Sequence, residues 1–157
     1  MSPALGRANR SLYHASLLLE AWRETRVQGR QPESVVAGAY GEAIQMHLQR
    51  AYGWFLVSLQ GAGALPDRPP SDLAQLLADS SDDLDDRRGE FNEFRRLETQ
   101  GWLQEILHST PATAGARSSG SLAREFPVLS YDPDTCRVWQ RQLEAVIERM
   151  TDSMEES

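Results

Sequence analysis

Three histidines are the residues of this chain whose type and distribution could support metal chemistry. His14, His47 and His108 fall on three different predicted helices. Imidazoles from facing helices can bind zinc tetrahedrally, with a water molecule in the fourth position. The pattern therefore gives a metal-dependent helical-bundle enzyme as one alternative function. The competing interpretation is structural, with a hydrogen-bonded core histidine at 47, a flanking histidine at 14 and a favourable helix-end cation at 108.

We expect the structural interpretation, and we predict neither a metal ion nor another cofactor. The only cysteine, Cys136, stands beside Arg137 early in a predicted helix, which could lower its pKa. No histidine or asparagine partner can be assigned to it, so we expect an inert thiol. The chain also contains no phosphate-binding loop, no dinucleotide-binding glycine motif and no Gly-x-Ser-x-Gly nucleophile motif. We therefore predict no catalytic residues.

A second alternative function comes from one pair on the first predicted helix. Arg7 and His14 are separated by six residues, and this spacing resembles the arginine–histidine element of the helical HEPN ribonucleases. The resemblance implies a histidine base beside a phosphate held by arginine. In that family the element belongs to a later helix, whereas here it begins the first one. An RNA-processing protein is the function that this pair would support.

Four tryptophans support the leading interpretation, which is a non-enzymatic protein that acts through protein–protein interaction. Trp22, Trp54 and Trp139 lie on apolar helix stripes, and Trp102 lies on a short predicted helix. Core packing is the ordinary use of such large rings. Aromatic residues and arginine also dominate the energetics of interfaces. We therefore treat the four tryptophans as candidate interaction residues and predict a protein partner or self-association as a homodimer.

The elements that position these residues are predicted to be helices. Apolar residues three and four apart predict a first helix over 2–28 and a second over 32–60. The block 54–57 is apolar on several sides, so we expect the second helix to be the most buried one. The turn between them is short, so the two helices form a long antiparallel hairpin. We predict an all-α fold, a four-helix bundle built on this hairpin with one or two short accessory helices.

The rest of the chain contains shorter helices and one linker. Ser71 is the predicted N-cap of a short helix, and Ser80 or Ser81 is the predicted N-cap of the next one. Gly101 is expected to interrupt that second helix, and Thr99 is the predicted N-cap of the short helix that follows. The last helix begins at Asp132 and Pro133. Residues 109–130 are predicted to be a flexible linker, and residues 152–157 a frayed tail. We expect one domain over residues 1–157.

The charge is unevenly distributed. The chain has 157 residues, 16 arginines, no lysine and a net charge of −7. Residues 1–60 have six arginines against four glutamates, whereas residues 67–86 have seven aspartates against one arginine. Such an acidic chain is a poor general binder of nucleic acid, so we do not expect nucleic acid as a partner. A local anionic partner on the first two helices stays compatible with the composition.

Localisation is predicted from the absence of targeting signals. The N-terminal residues include no apolar core of a secretory signal, and no apolar run approaches the about 20 residues of a membrane span. We therefore expect a cytoplasmic protein with no membrane contact. The exclusive use of arginine is typical of a GC-rich genome.

Several short segments carry a resemblance to a known family. They are residues 8–15, residues 42–52, the pairs Trp102-Leu103 and Ile106-Leu107, and residues 138–143. These segments resemble an uncharacterised proteobacterial family of small, soluble, all-helical proteins that has only a domain-of-unknown-function label. The resemblance implies a helical fold and a cytoplasmic location, and it implies no catalytic residue.

Overall fold

All regular secondary structure in the described part of the chain is helical. A computed structural model describes residues 2–61, 63–79, 87–109 and 132–156. The helices are α1 (Pro3–Gln28), α2 (Glu33–Gln60), α3 (Leu73–Asp79), α4 (Arg88–Gln100), α5 (Trp102–His108) and α6 (Pro133–Glu156). The predicted all-α class is confirmed. Within the described ranges, no helix has the length and apolar character needed to cross a membrane.

The bounds of α1 and α2 follow from local signals at their ends. The Ser2 hydroxyl accepts a hydrogen bond from the Leu5 N–H at 3.2 Å, which caps the start of α1. Gly29 ends α1 with a φ of 63°, in the left-handed region that glycine adopts without a Cβ clash. Pro32 directly precedes α2. The short segment between these two residues returns the chain alongside α1.

Contacts between α1 and α2 show that the two helices run antiparallel. Arg7 contacts Trp54, and further along α1 Trp22 stacks on Tyr40 with ring centroids 6.3 Å apart. Residue numbers thus rise along α1 while they fall along α2. The side chains of residues 54–57 on α2 are all buried. Helix α6 packs against both α1 and α2.

The shorter helices dock on α2 through one polar cluster and one aromatic cluster. The Glu98 carboxylate oxygen Oε1 accepts hydrogen bonds from the Tyr52 hydroxyl at 2.5 Å and from the Leu73 N–H at 2.8 Å. Phe94 lies edge-on to Tyr52 and to Phe55, with centroids 5.1 and 5.9 Å apart. We call the set Tyr52, Leu73 and Glu98 the Glu98 junction. It joins α2, the start of α3 and α4.

Helix α5 is held by side chains of α2. The Gln45 amide donates to the main-chain carbonyls of Ile106 and Ser109 at 2.9 and 2.7 Å, and Gln49 also donates to Ile106 at 2.9 Å. The last carbonyls of a helix have no partner inside the helix. Two glutamines of α2 therefore supply the hydrogen bonds that the end of α5 lacks.

Two predicted helix caps are wrong. Helix α3 is capped by Asp72, whose carboxylate accepts from the Gln75 N–H at 2.8 Å, because the backbone and hydroxyl of Ser71 are engaged by the Gln75 side chain. Thr99 lies inside α4 and donates its hydroxyl back to Arg95 at 3.0 Å, while Gly101 separates α4 from α5.

The end of the chain also differs from the prediction, whereas the start of α6 agrees with it. Asp132 caps α6 by accepting from the Thr135 N–H at 2.8 Å. A frayed tail is predicted for residues 152–157, whereas in the structure α6 continues to Glu156 and Met154 packs against the core. The predicted caps Ser80 and Ser81 and nearly all of the predicted linker, residues 110–130, lie outside the described residues.

Candidate functional site

A cleft of about 720 Å³ lies between the exposed edges of α1 and α2. We call it the arginine cleft. It is lined from both helices, and its lining residues are Pro3, Gly6, Arg7, Arg10, Ser11, His14, Met46, His47, Arg50 and Trp54. The cleft is open to solvent, and three guanidinium groups and two imidazoles border it.

Two triplets of equal spacing build the arginine cleft. Helix α1 supplies residues 7, 10 and 14, and α2 supplies residues 47, 50 and 54. A step of three followed by a step of four keeps all three side chains on one face of a helix. Because the helices are antiparallel, the order of the second triplet is reversed in space. Arg7 therefore meets Trp54, and His14 meets His47.

Arg7 is positioned by an aromatic ring. Its guanidinium carbon lies 4.7 Å from the centroid of the Trp54 ring, within the range of a cation–π interaction. The Trp54 side chain is itself buried, with 2 % of its surface exposed. Arg7 therefore rests on a rigid platform, and its charge is available at the rim of the cleft.

His14 and His47 form an edge-to-face pair at the other end of the arginine cleft. Their ring centroids are 5.2 Å apart, with an interplanar angle of 77°. Burial lowers the pKa of the His47 imidazole below its ordinary value, and the nearby charges of His14 and Arg50 lower it further. The buried Nδ1 atom of His47 has no hydrogen-bond partner among the described residues. The pair thus offers a neutral imidazole beside a group of guanidiniums.

The electrostatics of the arginine cleft differ from those of the whole chain. The net charge of the protein is −7, yet no carboxylate occurs among the described residues that line the cleft. Within the described part of the chain, Arg7, Arg10 and Arg50 form no ion pair with an acidic side chain. Three guanidiniums without internal counter-charges favour an anionic ligand.

The three histidines do not form a metal site. His14 and His47 are brought together, whereas His108 ends α5, which docks on α2 through Gln45 and Gln49. Gln45 and His47 are two residues apart on one helix, so they face nearly opposite sides of α2. In the described ranges, no three His, Cys, Asp or Glu side chains are grouped to hold a metal ion. The predicted alternative of a His14, His47 and His108 site is therefore wrong.

The four tryptophans have different environments. Trp22 is fully buried against Tyr40, and Trp139 is buried while its indole N–H donates to the Glu105 carboxylate at 3.0 Å. Trp54 forms the wall of the arginine cleft, and Trp102 is half-buried near the surface. The tryptophan surface that is open to a partner is thus mainly that of Trp102.

Cys136 is a buried free cysteine. Burial raises the pKa of its thiol to about 12, and the carboxylate of Asp132 adds to that rise. A thiol with a raised pKa is a weak nucleophile near neutral pH because little thiolate forms. The structure therefore places this residue in the core of the protein, away from the arginine cleft.

Sequence reasoning identified Arg7 and His14 as a pair, but it missed Arg10, Arg50 and the role of Trp54. The signal was present in the repeated three-and-four spacing of residues 7, 10 and 14 and of residues 47, 50 and 54. This spacing places the first triplet on one face of α1 and the second triplet on one face of α2. The register between the two helices, which decides whether those faces meet, could not be read from spacing alone.

Fold and site together define a small all-helical protein with a cationic surface cleft. The chain belongs to the family of unknown function DUF6586, whose model matches residues 1–157. The expected membership of a family without an assigned function is therefore confirmed. No curated protein and no solved structure matches the chain.

Proposed function

We propose that this protein is a non-enzymatic interaction protein of the bacterial cytoplasm. It forms a single domain, a four-helix bundle built on the α1–α2 hairpin with α3 and α5 as accessory helices. The described residues that face the arginine cleft bind and orient a ligand, and they include no paired nucleophile and base.

The arginine cleft binds a carboxylate-rich segment of a protein partner. The observation that carries this proposal is the pair of matched triplets, which aligns three guanidiniums along an open cleft without an acidic residue in its described lining. Guanidinium groups bind carboxylates through two parallel hydrogen bonds. Arginine beside an aromatic ring is also a typical centre of a protein interface.

A binding titration tests this function. The probe is a fluorescently labelled polyglutamate peptide, and the variants are Arg10→Ala/Arg50→Ala in the cleft and Arg95→Ala/Arg96→Ala on α4 as a control with the same charge change. We expect the cleft variant to weaken binding by about tenfold or more, while the α4 variant binds like the wild type. Equal binding by the cleft variant and the wild type would overturn the proposal, as would an equal loss in both variants.

A second candidate function is an RNA-processing activity, favoured by one observation. Arg7 and His14 line the same cleft, and His47, with its lowered pKa, lies beside His14. A neutral imidazole next to guanidiniums could accept a proton while arginine holds a phosphate. Incubation of the wild type with single-stranded RNA tests this candidate, with Arg7→Ala and His14→Ala as controls. Uncut RNA in the wild-type reaction ends it.

A further inference from the structure

We propose that the partner of the arginine cleft is a second copy of this chain. The acidic segment that enters the cleft is the outer row of α6 in that copy, and the two copies pair symmetrically along α1. This inference rests on the proposed function, because it assigns the ligand of the same cleft.

The acidic segment lies in a groove on the other side of α1. This groove, between α1 and α6, has a volume of about 440 Å³. Four carboxylates line it from α6, at Glu144, Glu148, Asp152 and Glu155. We call these four residues the acidic row. Steps of three or four residues keep them along one side of α6.

An apolar strip separates the arginine cleft from the acidic row. Tyr13 and Leu17 on the outer face of α1 have 63 % and 45 % of their surface exposed, and together they form an apolar strip there. At 3.6 residues per turn, four side chains of α1 fall within an arc of about 100° around the helix axis. Their order along this arc is Tyr13, Leu17, Arg10 and His14. Across the surface formed by α6 and α1, the order is therefore the acidic row of α6, then the apolar residues of α1 and then its arginines.

Such a face is complementary to itself under one two-fold rotation. If the axis runs parallel to α1, each arginine cleft meets the acidic row of the other copy, and the two apolar strips meet at the centre. If the axis runs across α1, arginines meet arginines, which is repulsive. Closed two-fold dimers use one surface patch twice in this reciprocal way. The charges therefore favour a dimer in which the two α1 helices are parallel.

The acidic row and Arg10 also lie at matching heights along the axis of α1. The Gln140 amide on α6 donates a hydrogen bond to the Ser16 hydroxyl on α1. From this contact, the groove continues along α1 toward lower residue numbers and along α6 toward higher residue numbers. Helices α1 and α6 are thus antiparallel. Glu144 and Glu148 lie about one and two turns beyond Gln140, and Arg10 lies between one and two turns before Ser16. The two glutamates therefore bracket the level of Arg10.

Charge reversal tests the dimer in the full-length chain. The wild type at tens of micromolar should have the mass of two chains by light scattering after size exclusion. Arg10→Glu/Arg50→Glu and Glu144→Arg/Glu148→Arg should each raise the dimer dissociation constant by about tenfold or more, because two like-charge contacts replace two attractive ones. The control Arg95→Glu/Arg96→Glu on α4 changes the net charge as much as the first variant and should stay dimeric. Circular dichroism checks that every variant is folded.

Mixing the two reversed variants is the sharpest arm of the experiment. In the mixed pair, the reversed cleft of one copy faces the reversed acidic row of the other, and the two remaining surfaces have their natural charges. Both contacts are then attractive, so the mixture should form a one-to-one heterodimer that is tighter than the dimer of either variant alone. A dimer held by another surface would not show this rescue.

The outcomes separate this inference from the function on which it rests. A monomeric wild type that still binds polyglutamate through Arg10 and Arg50 overturns the self-pairing and leaves the proposed function standing. A monomeric wild type that does not bind the peptide overturns both. A dimer that survives both reversals overturns the inference, because its interface must then lie elsewhere.

Discussion

Helix α2 carries polar side chains on two sides, and the protein uses these sides differently. On one side, both hydrogen bonds of the Glu98 junction end on a single carboxylate oxygen, and Phe94 packs edge-on against the Tyr52 ring that donates one of them. On the other side, in the arginine cleft, His47 Nδ1 has no partner among the described residues, and the guanidiniums have no carboxylate beside them. The first set of polar groups is used to join helices. The second set is available to a ligand.

This difference indicates how to separate structural from functional polar groups in a helical protein. Burial raises the pKa of the Tyr52 phenol above its ordinary value, and the neighbouring Glu98 carboxylate raises it further. The phenol therefore stays protonated and donates its hydrogen bond at all ordinary pH values. A substitution at the junction should thus affect stability first, and a substitution at the cleft should affect binding first.

The largest expected effect is at the Glu98 junction. Glu98→Ala removes the acceptor of two hydrogen bonds and leaves the buried Tyr52 hydroxyl unpaired, so the free energy of unfolding should fall by about 3 kcal/mol. Glu98→Gln is the matched control, because its amide oxygen can accept both bonds, and it should lose clearly less. Urea unfolding followed by circular dichroism measures both. Equal losses for the two variants would show that the shared acceptor is unimportant.

The next effect concerns a glycine beside the junction. A Cβ on Gly53 would collide with the Pro70 carbonyl and lie 2.8 Å from the Pro69 Cβ, whereas a Cβ on Gly38, also in α2, has no neighbour within 4 Å. Gly53→Ala should lower the free energy of unfolding by about 2 kcal/mol through overpacking. Gly38→Ala should raise it by up to about 1 kcal/mol through helix propensity. The prediction is that the two variants change the free energy of unfolding in opposite directions. Thermal unfolding of both variants measures these changes.

A smaller effect on stability is expected in the arginine cleft. Arg7→Ala removes only the cation–π contact with Trp54, so the free energy of unfolding should fall by about 0.5–1 kcal/mol. Arg10→Ala, which removes no internal ion pair of the described residues, should change it by less than about 0.5 kcal/mol. A loss as large as that of Glu98→Ala in either variant would mean that the cleft is part of the framework. Chemical unfolding in parallel with the junction variants makes this comparison.

The smallest effect is a pH dependence at His47. Because burial lowers the pKa of His47 in the folded protein, the unfolded chain takes up a proton at a higher pH than the folded chain does. The contribution of His47 to stability is therefore fully present above its ordinary pKa of about 6.5 and is lost as the pH falls below that value.

Unfolding measured between neutral and mildly acidic pH tests this dependence. His47→Gln should flatten the acid-side loss of stability relative to the wild type. Identical slopes for His47→Gln and the wild type would contradict the assignment of this pH dependence to the histidine pair.

The helices could be predicted from the sequence because their signals are local. Gly29 and Pro32 mark the turn between α1 and α2, and both helix bounds fall within one residue of the prediction. The cap of α3 was misplaced by one residue because Gln75 engages Ser71 and leaves Asp72 as the cap. That choice depends on where a neighbouring side chain folds back, which the composition of the segment does not indicate.

The candidate site could be predicted only within one helix. Arg7 and His14 share a face by their spacing alone, and the structure does bring them to one cleft. Arg50 and Trp54 enter the same cleft because of the antiparallel register of α1 and α2, which is a property of packing. His108 was grouped with the other histidines on residue type, but the glutamines of α2 hold its helix on the opposite side.

The single buried thiol makes it possible to measure how often one helix of this protein opens. Cys136 has none of its surface exposed and lies one turn into α6, the helix that carries the acidic row. A reagent that alkylates thiols can reach it only when the start of α6 separates from the residues that cover the thiol. The labelling rate of the unmodified chain therefore reports how often that separation occurs, as amide exchange does for local opening in other proteins. Dimerisation through α1 and α6 should lower the rate at which Cys136 is labelled.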